Sequence, residues 1–165
     1  CGEKDKDSNV FLLNFDNGYT HECYDDYLKA RITSIIMLIS TLENFMNHIM
    51  PIGFTYSKIQ NEKTKIFNIE EIELSVFFKE KIEKVIPQII KNEQFWDSRS
   101  KDLEVLLELY EQRKKFIHLK TNSEEEWKRY SETFIKMLEF DILEAINTSI
   151  NFMNSIEEKF VEIEK

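Results

Sequence analysis

Apolar residues recur along most of the chain every three or four positions, which is the period of an amphipathic helix. The clearest series lies between residues 25 and 50 and consists of Ile35, Leu38, Ile39, Leu42, Phe45, Met46 and Ile49. Side chains at this spacing share one face, so the segment predicts a helix with a buried stripe. Pro51 and Gly53 follow and predict its end.

A second helix is predicted after a loop. Residues 51–67 show no apolar period and predict that loop. Asn68 followed by Glu71 matches a capping box, in which each side chain binds the backbone of the other residue, and predicts a helix over 69–93. Because Pro87 has no N–H to donate, we expect it to kink this helix or to end its regular part.

Two further helices complete the helical pattern. A helix over 99–119 is predicted by a stripe of Leu103, Leu106, Leu107, Tyr110 and Ile117. Ser123 with Glu126 is a second capping box and predicts a last helix over 124–162. A helix of that length is long for a globular protein, so we expect a bend near Phe140 and Asp141.

The beginning of the chain has a different pattern. The apolar segments NVFLLNF and YTHECY flank Asn17 and Gly18, which accept the positive φ angles of a tight turn and predict a β-hairpin over 9–23. The predicted fold class is therefore all-α, an antiparallel up-and-down bundle of four to five helices with a short N-terminal β-hairpin. We expect one domain overall, with the hairpin in residues 1–24 and the helices in residues 25–165.

Charge and cysteine content exclude several classes of function. The 165 residues include 22 Lys and Arg and 31 Asp and Glu, a net charge of −9, which argues against broad binding to nucleic acid or to an anionic membrane. Cys1 and Cys23 are too few for a disulfide framework, and no apolar run reaches the roughly 18 residues of a membrane span. We therefore expect a cytoplasmic protein without a membrane partner. A chain that starts at Cys1 also fits a processed lipoprotein, which stays open as an alternative.

Residues 111–120, EQRKKFIHLK, hold the most distinctive charged cluster. At 100° per residue, Arg113 and His118 lie about 140° apart on a helix, one at each border of the apolar stripe, and Lys114 falls within the stripe's range. The simplest interpretation is a cationic helix C-terminus, which the helix dipole favours by typically ~0.3–1 kcal/mol. The alternative is a site that handles an anion. On the helix of residues 25–50, Glu43 and Asn47 share one face at the edge of the apolar stripe and could meet another helix as a polar pair.

The segments STLENFMNHIMP and LYEQRKKFIHLK together resemble the HEPN domains of prokaryotic toxin–antitoxin, phage-defence and CRISPR systems. The mark of that family is an Arg, four to six residues, and a His near the end of an internal helix, and an earlier helix often carries an acidic residue and an Asn. The resemblance extends over about residues 25–160. It implies an antiparallel helical bundle that forms a homodimer and brings both Arg–His pairs into one cleft.

The resemblance also implies an activity, because many HEPN domains are metal-independent endoribonucleases. By position, Arg113 and His118 would be the catalytic pair, with Glu43 and Asn47 in support. Active members commonly carry Asn, Asp or His directly after the Arg, where this chain has Lys114. A HEPN-like module that no longer cuts RNA, and instead binds a partner or acts as a sensor, is therefore the alternative.

The residue types fit RNA cleavage without a metal. Histidine can move protons near neutral pH, and arginine offers a planar cationic fork to phosphate oxygens. We expect Lys114, Lys115 and Lys120 to offset the acidic field locally, with Lys114 as a supporting residue of the site and Lys115 and Lys120 binding RNA. We expect no metal and no cofactor, since the alternating His21, Cys23 and Asp25 are followed by no second set of ligands. The expected partners are RNA, a second copy of the chain and an antitoxin protein.

Overall fold

The computed structural model describes residues 3–4, 11–12, 21–60, 62–117 and 134–162, and most of them are helical. The helices are α1 (His21–His48), α2 (Ile69–Ser75), α3 (Phe78–Glu80), α4 (Ile86–Ile89), α5 (Ser100–Ile117), α6 (134–139) and α7 (Ile142–Ile156). The strands are β1 (Glu3–Lys4), β2 (Phe11–Leu12), β3 (Tyr56–Gln60) and β4 (Lys63–Phe67). None of the helices within these ranges is long and apolar enough to cross a membrane.

The contacts divide the chain into two compact units. The first unit comprises Cys1–Met37 and Glu111–Ile142, and the second comprises Leu38–Tyr110 and Leu143–Lys165. Helices α1 and α5 therefore each contribute residues to both units.

Helix α1 has the buried stripe that its sequence predicts. The residues of this stripe with the least exposure are Ile35, Ile39, Leu42, Phe45 and Met46. The helix begins at His21, four positions before the predicted start, and ends at His48 just before Pro51. The prediction that His21, Cys23 and Asp25 alternate along a strand is therefore wrong, because their backbone is helical.

The N-terminal strands pair differently from the predicted hairpin. Strands β1 and β2 are antiparallel, with Glu3 opposite Leu12 and Lys4 opposite Phe11. The predicted pairing of residues 9–15 with 19–23 is wrong at its second strand, where α1 has already begun. The predicted turn at Asn17 and Gly18 lies outside the described residues.

A β-hairpin occupies residues 56–67, where the sequence predicted a loop. Tyr56 of β3 pairs with Phe67 of β4, and Gln60 pairs with Lys63. Tyr56 and Phe67 are buried and join a cluster of Met50, Ile72, Val76 and Val85. The prediction failed because the buried face shows apolar residues only at the base of the hairpin: three of the ten strand residues are lysines, and the isoleucines Ile59 and Ile66 are exposed.

The second predicted helix is interrupted twice. The capping box is confirmed, since Oδ1 of Asn68 accepts from the Glu71 N–H over 2.9 Å and a Glu71 carboxylate oxygen accepts from the Asn68 N–H over 3.0 Å. Helix α2 then stops at Ser75, because Val76 and Phe77 are extended. Neither residue is a helix breaker, so this interruption could not be predicted from the residues at the break.

Pro87 follows a π-helical turn, Lys81–Val85, that joins α3 to α4. In this turn the Ile86 N–H donates to the Lys81 carbonyl five residues earlier. The next bond of that register would need an N–H on Pro87, and the acceptor left without it is the Ile82 carbonyl. The indole N–H of Trp96 donates to this carbonyl over 2.9 Å and replaces the missing bond.

Helix α5 begins one residue after its predicted start and is helical up to Ile117, and its predicted end at 119 lies outside the described residues. Its buried face is rotated from the predicted one. Leu106 and Leu109 are fully buried. Ile117 was predicted to be a core residue, but it is 51% exposed. Gln112 is buried in the same helix. The face that packs therefore runs through Leu106, Leu109 and Gln112, and a polar residue occupies it near the C-terminal end.

The predicted bend in the last helix is confirmed, because α6 and α7 are separated at Phe140 and Asp141. The capping box of Ser123 and Glu126 lies outside the described residues. Helix α7 ends at Ile156, earlier than the predicted 162. The Asn154 side chain then binds both the N–H and the carbonyl of Val161, at 2.9 and 3.1 Å, and closes the terminal turn.

Aromatic rings fill the core of the second unit. Phe152 of α7 packs edge-on against Phe45 of α1 at 5.9 Å between centroids and stacks on Trp96 at 5.6 Å. Phe78 stacks on Tyr110 of α5 at 4.8 Å. The first two contacts join α1, α7 and the loop before α5, and the third joins α3 to α5.

Candidate functional site

The charged end of α5 lies in the first unit and contains Arg113, Lys114 and Lys115. Arg113 is seven positions after the fully buried Leu106, which places it only about 20° from Leu106 around the helix. Arg113 is therefore close in angle to the buried Leu106, and its own side chain is half-buried.

Two adjacent polar groups at this end of α5 are buried and unpaired. Gln112 is 2% exposed, and its Oε1 atom has no hydrogen-bond donor among the described residues. The Nε atom of the half-buried Arg113 likewise has no acceptor there. Because an unsatisfied buried polar atom costs about 1–3 kcal/mol, such groups need a partner or a function.

The two lysines at the end of α5 are half-buried. The ammonium of Lys114 contacts both carboxylate oxygens of Glu111, at 3.0 and 3.1 Å, one turn earlier in the helix. Lys114 is thus partly neutralised, so it offers less positive charge to an anion than the sequence suggests. His118 and Lys120, the other predicted site residues in this segment, lie outside the described residues.

Glu43 and Asn47 belong to the second unit, where they meet a buried lysine. Lys81, from the π-helical turn, is only 5% exposed, and its ammonium donates to Asn47 Oδ1 over 3.1 Å and to the Glu73 carbonyl over 3.2 Å. Burial lowers the pKa of Lys81, and the nearby carboxylates of Glu43 and Glu73 oppose that shift. Inside their own unit, Asn47 therefore accepts a hydrogen bond from a buried cation, and Glu43 stabilises the same cation by its charge.

The burial of Lys81 was predictable from the spacing of its apolar neighbours, although it was not predicted. Lys81 lies three residues after Phe78 and four before Val85, and both of these are buried. Its position was therefore on an apolar helical stripe, where a lysine needs polar partners.

A second buried polar group lies under the β3–β4 hairpin. The hydroxyl of Tyr56 donates to one oxygen of Glu80 over 2.9 Å, and the ammonium of Lys58 contacts the other over 2.8 Å. Burial and the adjacent Glu80 raise the pKa of Tyr56 to about 12. Burial alone would raise the pKa of Glu80, but the hydrogen bonds from Lys58 and Tyr56 outweigh it and lower that pKa.

Arg31 binds the backbone at the C-terminal end of α6 in the first unit. One terminal nitrogen of its guanidinium donates to the Met137 carbonyl over 2.8 Å and to the Phe140 carbonyl, and the other donates to the Tyr27 hydroxyl over 3.0 Å. These carbonyls lie at the C-terminal end of α6, where carbonyls generally lack partners within the helix. The terminal nitrogens of Arg31 therefore have a structural role.

Within the described ranges, no group of three or more His, Cys, Asp and Glu side chains is placed to hold a metal ion. Comparison of the chain with protein-family models, with curated proteins and with solved structures gives no match.

Proposed function

We propose that this protein is a metal-independent endoribonuclease of the HEPN type, a toxin or phage-defence effector with Arg113 and His118 as its catalytic pair. The sequence spacing of Arg113 and His118 agrees with the family pattern, and Arg113 lies near the described end of α5 in a mostly helical chain. We further propose that the helices form the antiparallel up-and-down bundle of that family and that the protein acts in the cytoplasm.

The observation that carries the proposal is the guanidinium of Arg113. Its Nε atom is buried and has no acceptor among the described residues. Arg31 also has a buried Nε without an acceptor, but one of its terminal nitrogens donates to backbone carbonyls, whereas no such bond from Arg113 is found among the described residues. An arginine without a structural acceptor keeps its planar fork available for phosphate oxygens.

In the proposed reaction the RNA supplies its own nucleophile. His118 accepts the proton of a 2′-hydroxyl, whose oxygen attacks the adjacent phosphorus, while Arg113 stabilises the negative charge that develops on the phosphate oxygens. The bond from phosphorus to the 5′-oxygen breaks, and a protonated imidazole returns a proton to that oxygen. The products are a 2′,3′-cyclic phosphate and a 5′-hydroxyl.

The supporting residues divide into two groups in this proposal. Lys115 and Lys120 contribute positive charge near the RNA backbone, and Lys114 contributes less because Glu111 neutralises part of it. Glu43 and Asn47 act on the fold, since the buried Lys81 depends on them.

A homodimer is part of the proposal, because a second copy would bring another Arg113 and His118 into the same cleft. Sedimentation velocity at tens of micromolar protein should show a dimer. A wild-type protein that sediments as a strict monomer contradicts this part of the proposal.

Cleavage of single-stranded RNA in the presence of EDTA tests the catalytic proposal. Wild type should cut, and Arg113→Ala and His118→Ala should each abolish cutting while circular dichroism shows an unchanged helical content. His48→Ala is the matched control, because His48 is an exposed histidine at the end of α1 and should leave cutting unchanged. Cutting that survives His118→Ala, or that ceases with EDTA alone, refutes the proposal.

The alternative is a HEPN-like module that binds a partner, such as an antitoxin, without cutting RNA. Two observations favour it: the contact of Lys114 with Glu111 and the engagement of Asn47 by Lys81. Wild type that neither cuts varied RNAs nor binds them at low salt, but forms a complex with a partner protein, decides for this alternative.

A further inference from the structure

A polar cleft of about 390 Å³ lies in the second unit, beside the loop between α4 and α5 and near the end of α7. The loop contributes Asn92, Gln94, Ser98 and Arg99, and α7 contributes Ser155. The volume is within the ~300–1,000 Å³ typical of small-ligand pockets.

Among the described residues that line this cleft, Arg99 is the one with a charge. Its Cζ atom lies 5.1 Å from the centre of the Phe95 ring, so the guanidinium rests on an aromatic face. Within the described part of the chain this guanidinium has no hydrogen bond and no ion pair. In a chain with a net charge of −9, an arginine without a carboxylate partner is unexpected. Glu93 and Asp97 belong to the same loop but do not line the cleft.

The other polar residues around Arg99 can each donate a hydrogen bond. Oδ1 of Asn92 accepts from the Gln94 N–H over 3.2 Å, which leaves the Asn92 amide nitrogen as a donor. The Ser98 hydroxyl and the Gln94 side-chain amide have no hydrogen bond among the described residues. Ser155 differs, because its hydroxyl donates to the Phe152 carbonyl over 2.7 Å. One cation with several uncommitted donors suits an oxyanion.

The loop that carries these groups is held in place by the core. Phe95 is 8% exposed and packs edge-on against Trp96 at 4.8 Å between ring centroids. Trp96 stacks on Phe152 and donates to the Ile82 carbonyl. Backbone bonds from Phe95 to Asn92, from Asp97 to Gln94 and from Arg99 to Trp96 define its successive turns. The donors are therefore positioned before a ligand arrives, which reduces the entropy lost on binding.

We propose that this cleft binds the terminal phosphate of a small phosphate monoester. The guanidinium of Arg99 takes two of the three terminal oxygens as a fork, and the Ser98 hydroxyl and the loop amides donate to the third. A phosphodiester has only two such oxygens and continues in both directions, so it satisfies fewer of these donors. The site lies in the second unit and does not depend on the proposed ribonuclease activity at Arg113.

Nuclear magnetic resonance on the ¹⁵N-labelled full chain tests the proposal with three probes. Adenosine 5′-monophosphate should shift the backbone amides of residues 92–99. Adenosine, which lacks the phosphate, and thymidylyl-thymidine, which has only a phosphodiester, should leave them in place. Equal shifts with adenosine or with the diester overturn the proposal, as does the absence of any shift with the monophosphate.

Variants then assign the binding to Arg99. Arg99→Gln should weaken the monophosphate by at least about tenfold, because it removes a charge-assisted hydrogen-bond donor. Arg99→Lys keeps the charge and the stem over Phe95, so it protects the fold, and its loss of the fork should still weaken binding by about threefold or more. Lys91→Gln, an exposed cation of the same loop that does not line the cleft, is the matched control. Wild-type affinity in both Arg99 variants overturns the assignment.

Discussion

The ammonium of Lys81 donates a hydrogen bond of 3.1 Å to Oδ1 of Asn47 inside the second unit. Asn47 is the residue that the sequence pattern assigned to a supporting role in catalysis. Its side-chain oxygen is instead used by a lysine that is 5% exposed and whose pKa is lowered by burial. The protein therefore needs Asn47 for stability, because Asn47 compensates a buried cation. This need exists whether or not Asn47 takes part in a reaction.

Asn47→Ala should destabilise the protein by about 1.5–3 kcal/mol, because it removes one of the two hydrogen bonds from a buried charged group. Chemical denaturation measures the loss. Asn44→Ala is the matched control, since Asn44 is an exposed asparagine one turn earlier in α1 and should change the stability by less than about 0.5 kcal/mol. If Asn47 acted only in catalysis, both variants would be equally stable.

Tyr56→Phe should change how stability depends on pH in alkaline solution. The pKa of Tyr56 is raised from 10.0 to about 12 by burial and by Glu80. Above pH 10 the unfolded state loses this proton while the folded state retains it, so stability falls with rising pH until the folded pKa is reached. The decline that this tyrosine contributes is on the order of 2 kcal/mol.

Denaturation between pH 9 and pH 12 in wild type and Tyr56→Phe gives the difference directly. The variant should lack the tyrosine component, so its stability relative to wild type should improve as pH rises through that interval. Ser57→Ala is a suitable control, because Ser57 is exposed on the same strand and does not titrate. A constant difference across the interval contradicts the prediction.

Trp96→Phe should destabilise the protein by about 1–3 kcal/mol beyond any packing loss, because the Ile82 carbonyl then has no donor to replace the N–H that Pro87 lacks. Pro87→Ala restores an N–H at that position. Trp96→Phe should therefore cost less in a Pro87→Ala background, and a double-mutant cycle measures the difference. Additive effects would show that the indole bond is independent of the proline.

The features that were predictable from sequence are those encoded by nearby residues. The capping box of Asn68 and Glu71 needs only two residues three positions apart, and the stripe of α1 needs only its period. The break between α6 and α7 followed from the implausible length of a single helix. In each case the signal and the structure lie within the same segment.

The missed features depend on residues that are distant in sequence. The β3–β4 hairpin is stabilised where Tyr56 and Phe67 pack on residues of α2 and of the π-helical turn, and neither strand shows this in its own composition. The break at Val76 and Phe77 contains no glycine or proline from which it could be predicted. The partner of Asn47 comes from a turn 34 positions later in the chain, so the motif alone could not distinguish a structural polar pair from a catalytic one.

Glu111→Gln and Lys114→Asn should have opposite effects on RNA binding, which the proposed function requires. Lys114 contacts Glu111 at 3.0 Å, so the carboxylate now offsets part of its charge. Glu111→Gln removes that carboxylate, and RNA binding should tighten and depend more steeply on salt. Lys114→Asn removes the cation, and binding should weaken with a salt slope reduced by about 0.7, the value for one phosphate contact on a single strand.

Fluorescence anisotropy with a labelled single-stranded RNA at several salt concentrations gives both slopes, and the His118→Ala background prevents cutting during the titration. Lys136→Asn is the matched control, because Lys136 is an exposed lysine of α6 outside the motif and should leave the slope unchanged. Equal slopes in wild type, Glu111→Gln and Lys114→Asn would exclude Lys114 from the RNA-binding surface. Binding that follows only the net charge, with Lys136→Asn as damaging as Lys114→Asn, would indicate nonspecific attraction rather than a site at the end of α5.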